Sequence, residues 1–111
     1  MGRMRRGDIV TVAGGVYASK PRPALIVQDD RFDATDSLTV CPFTSTEVDA
    51  PLLRLPVMAD EANGLVQDCV LTVDKMTTVR RSNARAVVGR LEPTALVEFE
   101  RRLLVFLGFG A

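Results

Sequence analysis

The chain has 111 residues, 47% of them hydrophobic, and its 14 basic and 14 acidic residues give a formal net charge of zero. This length predicts a single domain, residues 1–111, and the hydrophobic share argues against disorder. Zero net charge excludes a basic field over the whole molecule, so any nucleic-acid binding must come from local patches. No stretch approaches the roughly 20 apolar residues of a membrane span, and no apolar signal segment follows Met1. We therefore expect a cytoplasmic protein without membrane contact.

The lack of histidine restricts the chemistry that the chain can perform. Serine or cysteine nucleophiles activated by histidine are excluded, and proton transfer must use other side chains. Cys41 and Cys69 are far apart and form no CxxC motif, so we expect no zinc site, no other metal and no cofactor. Both cysteines are predicted to be free thiols in a reducing compartment.

Short β-branched or apolar runs, broken by glycine and proline, predict strands in chain order. The first covers residues 8–13 and ends at Gly14-Gly15, and residues 16–20 are predicted to form a loop. The run after Pro23 is apolar throughout, which favours a strand buried on both faces. The later predicted strands are residues 24–28, 38–43, 52–57, 69–73 and 86–91. Residues 75–79 are predicted to continue extended or to bend, and residues 80–85 to form about one helical turn.

A helix is predicted to begin at Glu92-Pro93-Thr94, because proline is favoured at the first helical position. Apolar residues recur at helical spacing after it, and Gly108 is a plausible stop. The chain is therefore predicted to be mainly β with a C-terminal helix, forming a small β-barrel that the helix closes or covers.

Arg22 stands between two prolines immediately before the buried strand. Pro21 and Pro23 fix their own φ angles and push the preceding residue towards an extended conformation. Arg22 is therefore predicted to lie on a stiff, extended piece of backbone.

Several motifs, in this order, resemble the MazF/PemK toxins of bacterial toxin–antitoxin systems. They are Arg5-Arg6-Gly7-Asp8-Ile9-Val10, Lys20 to Asp30, Pro42-Phe43-Thr44-Ser45, Asn63-Gly64-Leu65, and Val73-Asp74-Lys75 with Thr78-Val79. The first two are the most specific, and the resemblance runs from about Arg5 to the end of the helix.

This resemblance implies an SH3-like β-barrel with a C-terminal helix, acting as a homodimer with a cognate antitoxin as partner. The implied activity is sequence-specific, metal-independent cleavage of single-stranded RNA by attack of the ribose 2′-OH on the neighbouring phosphorus. Such cleavage of mRNA would inhibit translation and growth.

The resemblance also assigns catalytic candidates. Arg22 matches the family arginine, and a guanidinium can bind the scissile phosphate and stabilise added negative charge. Thr44 matches a threonine whose hydroxyl can donate to a phosphate oxygen, although capping of a turn is the alternative. Asp74 matches an acidic position that some members use as a base. Those members carry an arginine two residues earlier, where this chain has Thr72, so a strand-ending aspartate is an equal alternative for Asp74.

Further residues are candidates for RNA binding. Lys20, Arg80 and Arg81 would contact phosphates, Ser45 would assist Thr44, and Tyr17 would stack on a base. The non-functional alternatives are that the basic residues lie in solvated loops and that the Tyr17 ring folds onto the core.

Two other functions are compatible with the same fold. One is a non-enzymatic CcdB-like toxin that inhibits DNA gyrase. The chain ends in Phe109-Gly110-Ala111, which lacks the Trp-Gly-Ile of CcdB-like proteins. The other is an inactive SH3-like binding module, against which the pairing of Arg22 with Thr44 argues.

Overall fold

The computed structural model describes residues 4–14, 18–46 and 48–109, with residues 18 and 19 as backbone only. In these ranges the chain forms an antiparallel β-sheet followed by one α-helix. The strands are β1 (Asp8–Gly14), β2 (Ala18–Ile26), β3 (Ser37–Thr44), β4 (Arg54–Val57), β5 (Cys69–Thr72), β6 (Thr77–Arg80) and β7 (Ala84–Arg90). The helix is α1 (Pro93–Leu107), and short 3-10 helices cover Asp30–Phe32, Val73–Lys75 and Arg81–Asn83.

The strands are ordered β4-β5-β3-β2-β1-β7, and β6 pairs with β3 beside β5. Within the described residues, no ladder joins the two end strands β4 and β7, so the sheet is open. The prediction of a mainly β chain with a C-terminal helix is confirmed, whereas closure into a barrel is not.

Both faces of the central strands are buried. On one face Leu25 joins Ile9, Phe43 and Leu71 beneath Phe99, the fully buried aromatic ring of α1. On the other face Ala24 and Ile26 pack in a second cluster with Val10, Val12, Leu38, Val40 and Val79. The apolar run after Pro23 is therefore a strand buried on both faces, as predicted.

Two predicted strands begin elsewhere for identifiable reasons. Strand β2 begins at Ala18, inside the predicted loop, because extended backbone accommodates both prolines where β2 pairs only with β1. Strand β4 begins at Arg54, because residues 51–53 form a turn in which the Leu53 N–H donates to the Ala50 carbonyl at 2.9 Å.

Beyond β5, Val73–Lys75 turns as a 3-10 helix, which lets the chain re-enter the sheet as the separate strand β6. A single 3-10 turn at Arg81–Asn83 agrees with the helical turn predicted for residues 80–85.

The helix has the predicted limits. Pro93 occupies its first turn, and Gly108 ends it with a φ of 86°, a conformation that favours glycine. In the described part of the chain, no helix has the length and apolar character needed to cross a bilayer.

Candidate active site

A groove opens where β2 and β3 separate. Their last pairs are Leu25 with Cys41 and Ala24 with Pro42, and the same register continued by two residues places Arg22 opposite Thr44. Pro23 and Pro42 have no N–H group and cannot donate to a ladder. Beyond this point the two strands therefore stay extended but are no longer paired with each other. The space between them is available to a ligand.

The groove has a volume of about 860 Å³ and is lined by four segments, residues 21–23, 42–46, 65–69 without 68, and 77–79. Among these described lining residues, Arg22 is the one charged side chain. Hydroxyl groups make up most of the remaining polar lining, from Thr44, Ser45, Thr46, Thr77 and Thr78. A single cation among hydroxyl donors is suited to a phosphate group.

Arg22 is exposed on β2. Within the described residues, its guanidinium has neither an ion-pair partner nor a hydrogen-bond acceptor. Because the flanking prolines fix the backbone, the side chain projects from a defined position. Its donors are therefore free for an anionic ligand.

Thr44 is the last residue of β3 and pairs through its backbone with Val70 of β5. Its hydroxyl oxygen accepts the N–H of Thr46 at 3.1 Å. That bond uses an oxygen lone pair and leaves the O–H proton free to donate. Thr44 therefore caps the turn and still offers a donor to the groove, and exposed Ser45 adds a second hydroxyl beside it.

Asp74 is not among the described residues that line the groove with Arg22 and Thr44. It belongs to the 3-10 helix Val73–Lys75, and its carboxylate accepts a hydrogen bond from the Nη1 of Arg54 on β4. The same Nη1 donates to the Leu53 carbonyl at 3.0 Å.

The position two residues before Asp74 has a structural contact of its own. Thr72 is buried, and its hydroxyl donates to the Pro42 carbonyl at 2.7 Å. Thr72 also faces Arg54 in the β4–β5 register. An arginine–aspartate pair thus exists, but its arginine comes from the neighbouring strand, 20 positions away.

The predicted RNA-binding residues are distributed over several places. Lys20 is exposed on β2, two residues before Arg22. Arg80 and Arg81 line a separate depression with Asp36 and Ser82. The Nε of Arg81 donates to the Thr35 carbonyl at 2.7 Å, so this guanidinium holds a loop. Tyr17 lies outside the described residues.

Sequence reasoning missed one wall of the groove and part of its floor. Gln67 and Val66 come from the loop before β5, and Thr77 and Thr78 come from β6. The family motif at residues 63–65 precedes Val66 and Gln67, and the motif within residues 73–79 includes Thr78, but neither motif gave these residues a role. Only the pairing of β5 and β6 with β3 brings them to Thr44.

The two thiols are poor nucleophiles. Burial raises the pKa of Cys41 to about 12, and the nearby Asp74 carboxylate acts in the same direction. Burial also raises the pKa of Cys69, with a further contribution from Asp68. Among the described residues, no group of three or more histidine, cysteine, aspartate or glutamate side chains is placed to hold a metal ion.

Two solved structures share this fold over nearly the whole chain. The chain aligns with a TM-score of 0.80 to MazF in a crystal structure of a MazE–MazF complex from Deinococcus radiodurans, at 21% identity over 99% of this chain and 100% of that one. It aligns with a TM-score of 0.78 to an endoribonuclease in complex with its cognate antitoxin from a mycobacterial species, at 18% identity over 100% and 99% of the two chains. At these identities the likeness establishes the fold class, that of the MazF-like toxins.

The sequence establishes the family. Residues 5–107 match the model of the PemK-like, MazF-like toxins of type II toxin–antitoxin systems. The chain is also 57% identical over 108 residues to a probable endoribonuclease MazF from Mycolicibacterium smegmatis, covering 96% of this chain and 99% of that protein. The chain therefore belongs to the PemK/MazF family of toxins, as its motifs predicted.

Proposed function

We propose that the chain is a metal-independent, sequence-specific endoribonuclease that cleaves single-stranded RNA in the groove between β2 and β3. The observation that carries this proposal is the juxtaposition of Arg22 and Thr44. An unpaired guanidinium on one strand faces a hydroxyl donor on the next, in a groove whose described lining holds no other charge. The 57% identical relative, a probable endoribonuclease MazF, agrees with it.

The reaction is an internal transfer of the phosphoryl group. The ribose 2′-oxygen attacks the adjacent phosphorus and loses its proton, while the bond from phosphorus to the 5′-oxygen breaks and that oxygen gains a proton. The products are a 2′,3′-cyclic phosphate and a free 5′-OH. Negative charge builds on the phosphate oxygens in the transition state, where Arg22 and Thr44 provide fixed donors.

Asp74 is assigned a positioning role in this proposal. Its carboxylate is held by Arg54 and lies outside the described lining of the groove, which favours a structural role over that of a base. The pair instead fixes the 3-10 helix between β5 and β6, the two strands that bring Cys69 and Thr77 to the groove.

A homodimer and an antitoxin partner are proposed from the family and from apolar surface that is exposed on the described chain. Leu104, Val105, Phe106 and Leu107 are each between 44% and 58% exposed near the end of α1, and Phe109 is 77% exposed. Apolar surface of this extent is typical of interaction sites, and it supports a homodimer with a cognate antitoxin as further partner. We place this toxin in the cytoplasm, as one domain whose open sheet is an incomplete SH3-like barrel.

The direct test is cleavage of single-stranded RNA by purified variants. We expect Arg22→Ala to lower the rate by at least about 100-fold and Thr44→Ala by about tenfold or more, as for loss of a transition-state donor. Thr44→Ser keeps the hydroxyl and should retain most activity. Arg31→Ala removes an exposed arginine outside the groove and serves as the matched control.

Circular dichroism should show an unchanged fold for each variant. A folded Arg22→Ala protein that cleaves at the wild-type rate would overturn the site assignment. Excess EDTA should leave wild-type activity unchanged, and a loss of activity restored by Mg²⁺ would contradict the metal-independent mechanism. Gyrase inhibition without RNA cleavage would support the CcdB-like alternative instead.

A further inference from the structure

The loop before β5 is built to hold its tip in a fixed position. Asn63 is only 4% exposed, its Nδ2 donates to the Met58 carbonyl at 2.8 Å, and its Oδ1 accepts the Leu65 N–H at 3.0 Å. Gly64 has a φ of 70° and packs against the Val88 backbone so closely that an added Cβ would lie 2.0 Å from its carbonyl oxygen. This close packing fixes the entry of the loop.

The exit of the loop is fixed as well. The Asp68 carboxylate accepts the Ala59 N–H at 2.7 Å, and the Cys69 thiol donates to the Gln67 carbonyl at 3.2 Å. Leu65, just before the tip, is 8% exposed and packs in the main core. The two residues between these anchors, Val66 and Gln67, are therefore presented by a preorganised backbone.

These two side chains point to ligand contact rather than to folding. Val66 is 98% exposed, an unusual position for an apolar residue at the rim of a polar groove. Gln67 is exposed, and its side-chain amide has no hydrogen-bond partner among the described residues. Because β2 and β5 flank β3 on opposite edges, this loop lies across the groove from Arg22.

Gln67 differs chemically from the rest of the groove. Arg22 offers donors only, and the hydroxyls offer one donor each. Gln67 is the one amide among the described lining residues, and an amide offers a donor and an acceptor side by side in one plane. The edge of a nucleobase presents the complementary pattern, and single-stranded RNA exposes that edge.

We propose that Gln67 is a specificity-determining residue that reads the edge of one base beside the cleaved phosphate, with Val66 packing against the face of that base. This inference rests on the proposed function, because it names how that groove selects its RNA. Arg22 and Thr44 hold the phosphate, whereas Gln67 determines which base stands next to it.

The test is cleavage of an RNA library randomised around the cut site, followed by sequencing of the 5′ ends of the products. We expect wild-type protein to show a preferred base at one position adjacent to the cut. Gln67→Ala should reduce that preference by about fivefold to 100-fold, the discrimination typical of one bidentate contact. Gln67→Glu has the same shape but only acceptors, and it should change which base is preferred at that position.

Glu61→Ala alters an exposed residue of the same loop region outside the groove, and it should leave the base preference unchanged. Unchanged base preferences in both Gln67 variants would overturn this inference and leave the nuclease assignment intact. A uniform loss of rate at all sites, with the preference retained, would also overturn it. Absence of cleavage by the wild-type protein would overturn the proposed function itself.

Discussion

The ion pair between Asp74 and Arg54 bears on whether the Asp74 carboxylate stabilises the fold or acts as a catalytic base. The Arg54 side chain is 10% exposed and the Asp74 side chain is 25% exposed. Removing either partner leaves a poorly hydrated charge without its counterion, which destabilises a fold far more than loss of a surface pair. If Asp74 acts mainly through this pair, its substitution should lower the stability of the fold more than it lowers the intrinsic rate of RNA cleavage.

We predict that Asp74→Asn and Arg54→Ala each lower the free energy of unfolding by about 1–3 kcal/mol, and that the double variant loses less than the sum. Urea unfolding measures both effects. Arg31→Ala breaks the exposed pair with Asp29 and should show no comparable loss. If Asp74→Asn keeps its stability but loses RNA cleavage, the carboxylate is a catalytic base as the family resemblance suggested.

The loop from Asn63 to Asp68 depends on Gly64, where both the backbone conformation and the packing disfavour a side chain. Both Gly64 and Gly108 have φ near +80°, with values of 70° and 86°. An added Cβ at Gly64 would collide with the Val88 backbone, whereas at Gly108 nothing lies within 4 Å. The two positions therefore share the same backbone cost and differ in packing.

We predict that Gly108→Ala destabilises the protein by about 1 kcal/mol, the usual cost of a left-handed conformation for alanine. Gly64→Ala should cost at least about 2 kcal/mol more, because the strand β7 and the loop must move apart. Thermal unfolding of the two variants gives the difference directly. Equal destabilisation would show that the contact between this loop and β7 is easily relaxed.

Short sequence patterns correctly predicted the structural features that depend on neighbouring residues. Pro93 and Gly108 marked the ends of α1, and the apolar run after Pro23 marked the buried part of β2. The register between β2 and β3 places Arg22 and Thr44 opposite each other, 22 positions apart in sequence, and the family motifs had indicated both residues.

Contacts between segments far apart in the chain could not be predicted from such short patterns. The arginine partner of Asp74 comes from β4, and the wall with Gln67 reaches the groove only because β5 pairs with the end of β3. Residues 75–79 were predicted to be extended or bent, but not as a separate strand, because the turn Val73–Lys75 that separates β6 from β5 contains neither glycine nor proline. The bond from the Arg81 Nε to the Thr35 carbonyl, 46 positions away, likewise has no local signal.

Charge over the whole molecule sets how RNA binding should respond to salt. The formal net charge is zero, and the described lining of the groove contains one cation, Arg22. Each phosphate contact to a single strand contributes a slope of about −0.7 to the dependence of log binding constant on log salt concentration. Affinity must then come largely from hydrogen bonds and apolar contacts, which salt screens little.

We predict a slope of about −2 for binding of a short single-stranded RNA, corresponding to about −0.7 each from Arg22, Lys20 and Arg80. Fluorescence anisotropy with an uncleavable 2′-deoxy analogue, between low and physiological salt, measures it. Lys20→Ala and Arg80→Ala should each reduce the slope by about 0.7, because both side chains are exposed. Arg81→Ala should reduce the slope by less than about 0.7, since the bond to Thr35 limits the reach of its guanidinium towards a phosphate. A slope steeper than about −4 would instead require a broad basic surface, which a second subunit beside the groove would have to supply.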